Sequence, residues 1–182
     1  MVKIEDGKGR EGDVAVSSEQ RLLCHAVVET GLEHASENSE TAYSWSSGTQ
    51  ATSNGDTLLL VKNTSATPLH IHSISISVDT DTRVIIHVPT TVVTTPAGTA
   101  ITGVNMNFSS SLPAEATAKR DETNNTQGDI LWAGEVMAAS NPVIVNFDGA
   151  IILPKNESIG VDIVLAQTAL CDVTIIGHYG GD

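Results

Sequence analysis

Between Leu69 and Val78 the chain reads LHIHSISISV, and apolar and polar residues exchange at nearly every step. Ile74, Ile76 and Val78 fall on one side and Ser73, Ser75 and Ser77 on the other, which predicts a strand with one buried and one wet face. Carried back at the same period, the side of Ile74 and Ile76 also takes His70 and His72, placing both rings at the mouth of the core. Similar runs recur as DTLLLVKN (56–63), TRVIIHV (82–88) and NPVIVNFDGAIIL (141–153), the last long enough for one or two strands. In SIGVDIVLA, Ile159, Val161, Ile163 and Leu165 alternate with Gly160, Asp162 and Val164, and CDVTIIGHY supplies a final strand. β-branched runs bounded by Gly, Pro, Asn and Asp predict strands and turns rather than helices. Six or more of them at this spacing predict an all-β fold, an antiparallel β-sandwich of jelly-roll type.

Two regions break the pattern. Residues 89–140 are rich in Thr, Ala, Ser and Asn and carry Pro96, Gly98, Gly103, Pro113 and Gly128. They predict long connections with a few short strands and a turn of helix near PAEATAKR (113–120); connections of such length usually serve contact or function. At the other end, DVAVSSEQRLLCHAVV (13–28) predicts a hairpin turning at Ser17–Gln20, and ETGLEHASENSETAYSW (29–45) runs acidic and polar up to Tyr43 and Trp45. A lone hairpin is marginal in water and needs a surface to pack on. The expected organisation is therefore an amino-terminal arm, 1–45, and a β-sandwich domain, 46–182.

Charge sharpens that division. The 182 residues hold 9 Lys and Arg against 22 Asp and Glu, a formal charge of −13, which argues against nucleic acid or an anionic membrane surface as partner. Nine of the acids fall in the first 40 residues. Cys24 and Cys171 allow one bridge at most, and two buried free thiols are expected. No signal-peptide core is visible and no apolar run approaches the roughly 18 residues of a membrane span, so a soluble protein is expected.

Chemical motifs add little. GKGREGDV (7–14) has the spacing of a phosphate-binding glycine loop, but no buried strand delivers it, and Glu5 and Asp6 would repel a phosphate. His70-x-His72 puts two rings on one strand face. A metal site would need further ligands, and neither His87 nor Asp162 is tied to that place by spacing. Asp79-Thr80-Asp81 opens like a calcium loop but lacks the glycine and the bidentate glutamate that complete one, so it is expected to be a turn. No nucleophile elbow or C-x-x-C motif occurs, and no catalytic residue, metal ligand or cofactor is expected. The few aromatic residues weaken a sugar-binding reading; Trp45 and Trp132 are expected as buried anchors.

The runs IEDGKGREGDVAVSSEQRLLCHAVVETGLEHASE, NGDTLLLVKNTSATPLHIHSISI and GVNMNFSSSLPAEATAKRDET, in that order, resemble small virion structural proteins of tailed bacteriophages. The likeness covers most of the chain. It implies a β-sandwich present in many copies on the particle, a head decoration (cement) protein that trimerises over the lattice of the major capsid protein, made in the host cytoplasm. It supplies no active-site residues. GKGREG then becomes the start of a docking arm, with contacts expected at Glu5, Asp6, Gly7, Gly9, Glu11, Gly12, Asp13 and Arg21, where glycine permits close approach and charge selects the partner. The sparse charge beyond residue 40 and the small neutral Thr, Ser and Ala surfaces fit a homotrimer. The competing readings are a tail or fibre component that binds a host receptor through residues 89–140, and a sandwich-fold hydrolase or lyase.

Overall fold

A computed structural model describes residues 3–5, 11–13, 30–37, 39–52, 57–89, 97–122, 125–140, 142–164 and 169–180. Near the amino terminus β1 (Lys3–Glu5) and β2 (Glu11–Asp13) pair antiparallel. Then come the helix α1 (Gly31–Glu37) and the strands β3 (Ala42–Ser46), β4 (Gln50–Thr52), β5 (Thr57–Asn63), β6 (Leu69–Val78) and β7 (Thr82–Val88). The middle of the chain holds β8 (Thr99–Ile101), β9 (Val104–Asn105), β10 (Ala116–Glu122) and β11 (Asp129–Val136). A single turn of 3-10 helix, Ala138–Ser140, leads to β12 (Val143–Leu153), β13 (Ser158–Ile163) and β14 (Ala169–Tyr179).

Apart from the β1–β2 pair, the strands form two antiparallel sheets packed as a sandwich. The first runs β11-β7-β13-β5-β10-β8, and the second runs β12-β6-β14-β3-β9 with β4 also paired to β14. Four of the pairings are nested: β3 with β14, β5 with β13, β6 with β12 and β7 with β11. Between the sheets lies one core, in which Trp45, Leu59, Ile74, Ile76, Ile86, Val161 and Ile175 are fully enclosed. Removing such branched side chains from water is the main term holding the sheets together, at roughly 1.5–3 kcal/mol each. All residues of β5 and β13 are buried, so the first sheet is covered on both faces along its centre.

Local propensity is overruled in one place. PAEATAKR was expected to turn as a helix on its Ala, Glu and Lys content, yet Ala116–Glu122 is strand β10, because its backbone finds partners on both sides, β5 and β8. NPVIVNFDGAIIL forms one strand, not two, though an irregular one. Trp45 is buried as expected, whereas Trp132, on the edge strand β11, is only half-buried against the core. The hairpin expected over 13–28 lies, save Asp13, outside the described residues, as does Cys24; Cys171 is buried in the core.

Strand β3 crosses the expected arm boundary at residue 45 and takes a place inside the second sheet, between β14 and β9. Helix α1, ahead of it, was not expected. Its start is fixed by reciprocal hydrogen bonds: the Glu33 N–H donates to Thr30 Oγ1 at 3.2 Å, and the Thr30 N–H donates to Glu33 Oε2 at 2.9 Å. Two of the unpaired N–H groups at a helix start are satisfied this way. The Thr30 N–H and the Thr30 hydroxyl, both donating to Glu33 Oε2, hold the Glu33 carboxyl below the usual carboxylate range.

Candidate functional site

His70 and His72 do not share the side of Ile74 and Ile76. On β14, Ile176 faces Ser73 but Gly177 faces Ile71, so His72 is one residue too many for the register. The bulge reverses the alternation. Leu69 and Ile71 point into the core before it, Ile74 and Ile76 after it, and both histidines stand half-buried on the outer face of the second sheet. Two neighbours make room. β12 loops away opposite His72, since Asn146 pairs with Ser73 while the next paired residue is Ile151 with Ile71. Within that excursion Asp148 and Gly149 take positive φ, 51° and 81°. On the other side Gly177 is held so near the chain that a Cβ there would stand 2.5 Å from the His70 carbonyl oxygen.

His178, the register partner of His70, completes the cluster. Its Nδ1 lies 2.8 Å from His72 Nε2, a hydrogen bond between two imidazoles, and its ring stacks on that of His70 with centroids 5.1 Å apart. His70 Nδ1 lies 3.3 Å from the Gly149 carbonyl oxygen. The three rings floor a cleft of about 500 Å3 whose walls include Gly31, His34 and Ala35 of α1, Asp148 and Ile152 of β12, and Tyr179. Partial burial pushes His178 down to about 4, with the neighbouring His72 and His70 adding to the effect. Burial also lowers His72, against the pull of Asp148. Both rings are therefore neutral near pH 7.

His87 and Asp162 do meet, but with each other and in the other sheet. His87, on β7, is fully enclosed, and its Nε2 lies 2.8 Å from Asp162 Oδ2 on β13. The Gly128 N–H donates to His87 Nδ1 at 3.2 Å, which leaves the ring proton on Nε2 for Asp162. Asp162 Oδ1 accepts from Thr57 Oγ1 at 2.6 Å, and Thr57 Oγ1 accepts from Asn125 Nδ2 at 2.9 Å. In order of contact the network is Thr57–Asp162–His87. A hydroxyl activated for nucleophilic attack needs the imidazole as its immediate acceptor, so this arrangement binds the segment 125–128 to the sheet rather than preparing a nucleophile.

The remaining candidates separate cleanly. Asp79-Thr80-Asp81 is the turn between β6 and β7, where Asp79 Oδ1 accepts from the Leu170 N–H and Asp81 Oδ1 from the Ala138 N–H, each at 2.8 Å. Among the described residues no group of three or more His, Cys, Asp or Glu is arranged to hold a metal ion. In the histidine cluster only two nitrogens converge, the third ring being turned to the Gly149 carbonyl. Of the expected arm contacts, Glu5 lies in β1, and Glu11, Gly12 and Asp13 in β2, with Glu5 opposite Glu11 and Ile4 opposite Gly12. Asp6, Gly7, Gly9 and Arg21 lie outside the described residues.

One surface that no motif announced is the flank formed by β11 and β12. Each is an edge strand of its sheet, the two are consecutive strands in the chain, and β11 also packs on β6, the neighbour of β12. A register shift at Leu131 turns Ile130 and Leu131 both outward, and Met137, Ile144 and Ile152 continue the exposed series. Five of the ten large hydrophobic side chains exposed among the described residues therefore sit on two edge strands and their connection. Asp148 is the single charged residue of β12, an eleven-residue edge with few of the charges that discourage edge pairing. Comparison with protein-family models, with curated proteins and with solved structures returns no match.

Proposed function

We propose that the protein is a non-enzymatic jelly-roll assembly protein, a decoration protein of a tailed-phage head that binds the major capsid protein and associates with itself as a homotrimer. The jelly-roll reading draws on the nested pairings. Taking β3, β5, β6, β7, β11, β12, β13 and β14 as strands one to eight, the first pairs with the eighth, the second with the seventh, and so on inward. A long hairpin rolled across two sheets has this order.

The observation that carries the assembly role is the β11–β12 flank. Long apolar edges of this kind are a hazard in a monomer and a contact in an assembly. The resemblance to small virion proteins supports the particle as the place of that contact. Sedimentation of the purified chain tests the reading: a trimer is expected at micromolar concentration, and the double substitution Leu131→Asp and Ile144→Asp is expected to yield a folded monomer. A wild-type monomer, or a trimer indifferent to both substitutions, would count against it.

A receptor-binding tail component is the second reading, and Phe108 favours it. This ring is 90% exposed in the connection between β9 and β10, inside the 89–140 region, with Val104 and Leu112 also exposed nearby in the chain. Apolar groups presented on a loop suit recognition of another surface. Phe108→Ala should abolish adsorption to the host if this reading holds and leave it unchanged if the head reading holds.

A further inference from the structure

We propose that the His70, His72 and His178 cluster is a proton-operated latch for α1: neutral, it holds the helix against the second sheet, and charged, it releases the helix. The inference does not depend on the phage reading. It starts from the hydrogen bond between His72 Nε2 and His178 Nδ1 at 2.8 Å. Such a bond needs one N–H facing one lone pair. A proton added to the acceptor nitrogen sets two N–H groups against each other, so the contact survives one charge on the pair and not two.

Crowding makes even the first charge unfavourable. His178 has the ring of His70 at 5.1 Å and that of His72 at 4.9 Å, centroid to centroid. Among the described residues the titratable side chains that line the cleft are His34 from α1, His70 and His72 from β6, Asp148 from β12, and His178 and Tyr179 from β14, while residues 39–41 contribute Ser39 and Thr41. Charging both His72 and His178 therefore sets two imidazolium groups 4.9 Å apart, centroid to centroid, with Asp148 the one carboxylate among the described residues lining the cleft. Like charges at these separations repel, and a half-buried site screens them less than open water does.

The helix is the element placed to respond. It forms one wall of the cleft, with Gly31, His34 and Ala35 facing in, and a Cβ on Gly31 would lie 4.0 Å from His178 Cε1. Ala35 is its one buried side chain, and the Ala35 carbonyl accepts from the Thr41 N–H at 2.8 Å. A seven-residue helix has little stability of its own and depends on the surface beneath it. The lowered position of His178, about 4, and the downward shift of His72 place the transition below pH 6.5.

Hydrogen exchange of the full chain, corrected for the intrinsic pH dependence of amide exchange, tests the latch between about pH 7.5 and about pH 4. Backbone amides of α1 are expected to lose protection by at least about tenfold across that range while amides of β5 and β13 keep theirs. In the double variant His72→Gln and His178→Asn, amide groups replace the bonded ring nitrogens without the capacity to charge, and α1 is expected to stay protected. Unchanged α1 protection in the wild type, or the same loss in the double variant, would overturn the proposal. If the variant does not fold, imidazole NMR of the wild type decides. Ring titration of His72 and His178 that coincides with α1 release supports the latch, and titration that leaves α1 untouched overturns it.

Discussion

His87 in the first sheet and His178 in the second belong to the same sandwich and have unlike surroundings. His87 is fully enclosed, and its two nitrogens meet a carboxylate and a backbone N–H, groups supplied by β13 and by the segment before β11. His178 is half-buried and meets another imidazole, with a third stacked upon it. The difference lies in how each sheet treats its outer face. Where the face is closed, His87 and Asp162 are given fixed complements, and the result is an ordered network. Where a bulge and a looped-out edge leave a cleft, like groups are left facing like, and the site becomes sensitive to protons.

The largest effect is expected from breaking the ordered side. Asp162→Ala strands the His87 Nε2–H and the Thr57 hydroxyl inside the sheet, and unfolding in urea should show a loss of about 3 kcal/mol. A loss below about 1 kcal/mol would mean that the network is not what binds residues 125–128. Gly177→Ala comes next. Its Cβ collides with the His70 carbonyl, so the bulge must shift, with a cost of about 2 kcal/mol and altered ring resonances for His72 and His178 while those of His87 stay in place.

The smallest effect is that of pH on the wild type. Since His178 and His72 have lower proton affinity folded than unfolded, the unfolded chain binds more protons below pH 6.5. The stability they contribute is complete above pH 6.5 and is lost as pH falls toward about 4, the folded value of His178. With the rings partly solvated, the loss should be on the order of 1 kcal/mol, and the pair His72→Gln and His178→Asn should flatten the curve in that window.

Much of the sandwich could be read from alternation alone, and the histidine cluster could not, for a reason visible in one run. In LHIHSISISV the apolar residues step by two, then by three between Ile71 and Ile74, then by two again. That single step of three marks the bulge, but the period carried back from Ile74 hides it and sends both histidines to the wrong face. His178 was beyond reach by spacing, because only the pairing of β14 with β6 brings it opposite His70. Helix α1 left a faint trace, Thr30-x-x-Glu33, beneath a composition that reads as polar coil. β10 was misread because pairing on both sides outweighed its Ala-rich helical preference. The exposed residues of β11 and β12 are ordinary core residues by composition, and only their place at the sheet edges gives them meaning.

That edge placement is the centre of the functional reading, and the copy number of the chain in purified particles tests it most directly. Quantitative mass spectrometry against the major capsid protein should find hundreds of copies, in a fixed ratio to the capsid lattice and in multiples of three, as a trimeric shell protein requires. A dozen or so copies per particle would contradict the head reading and point to the tail, and absence from the particle would contradict both.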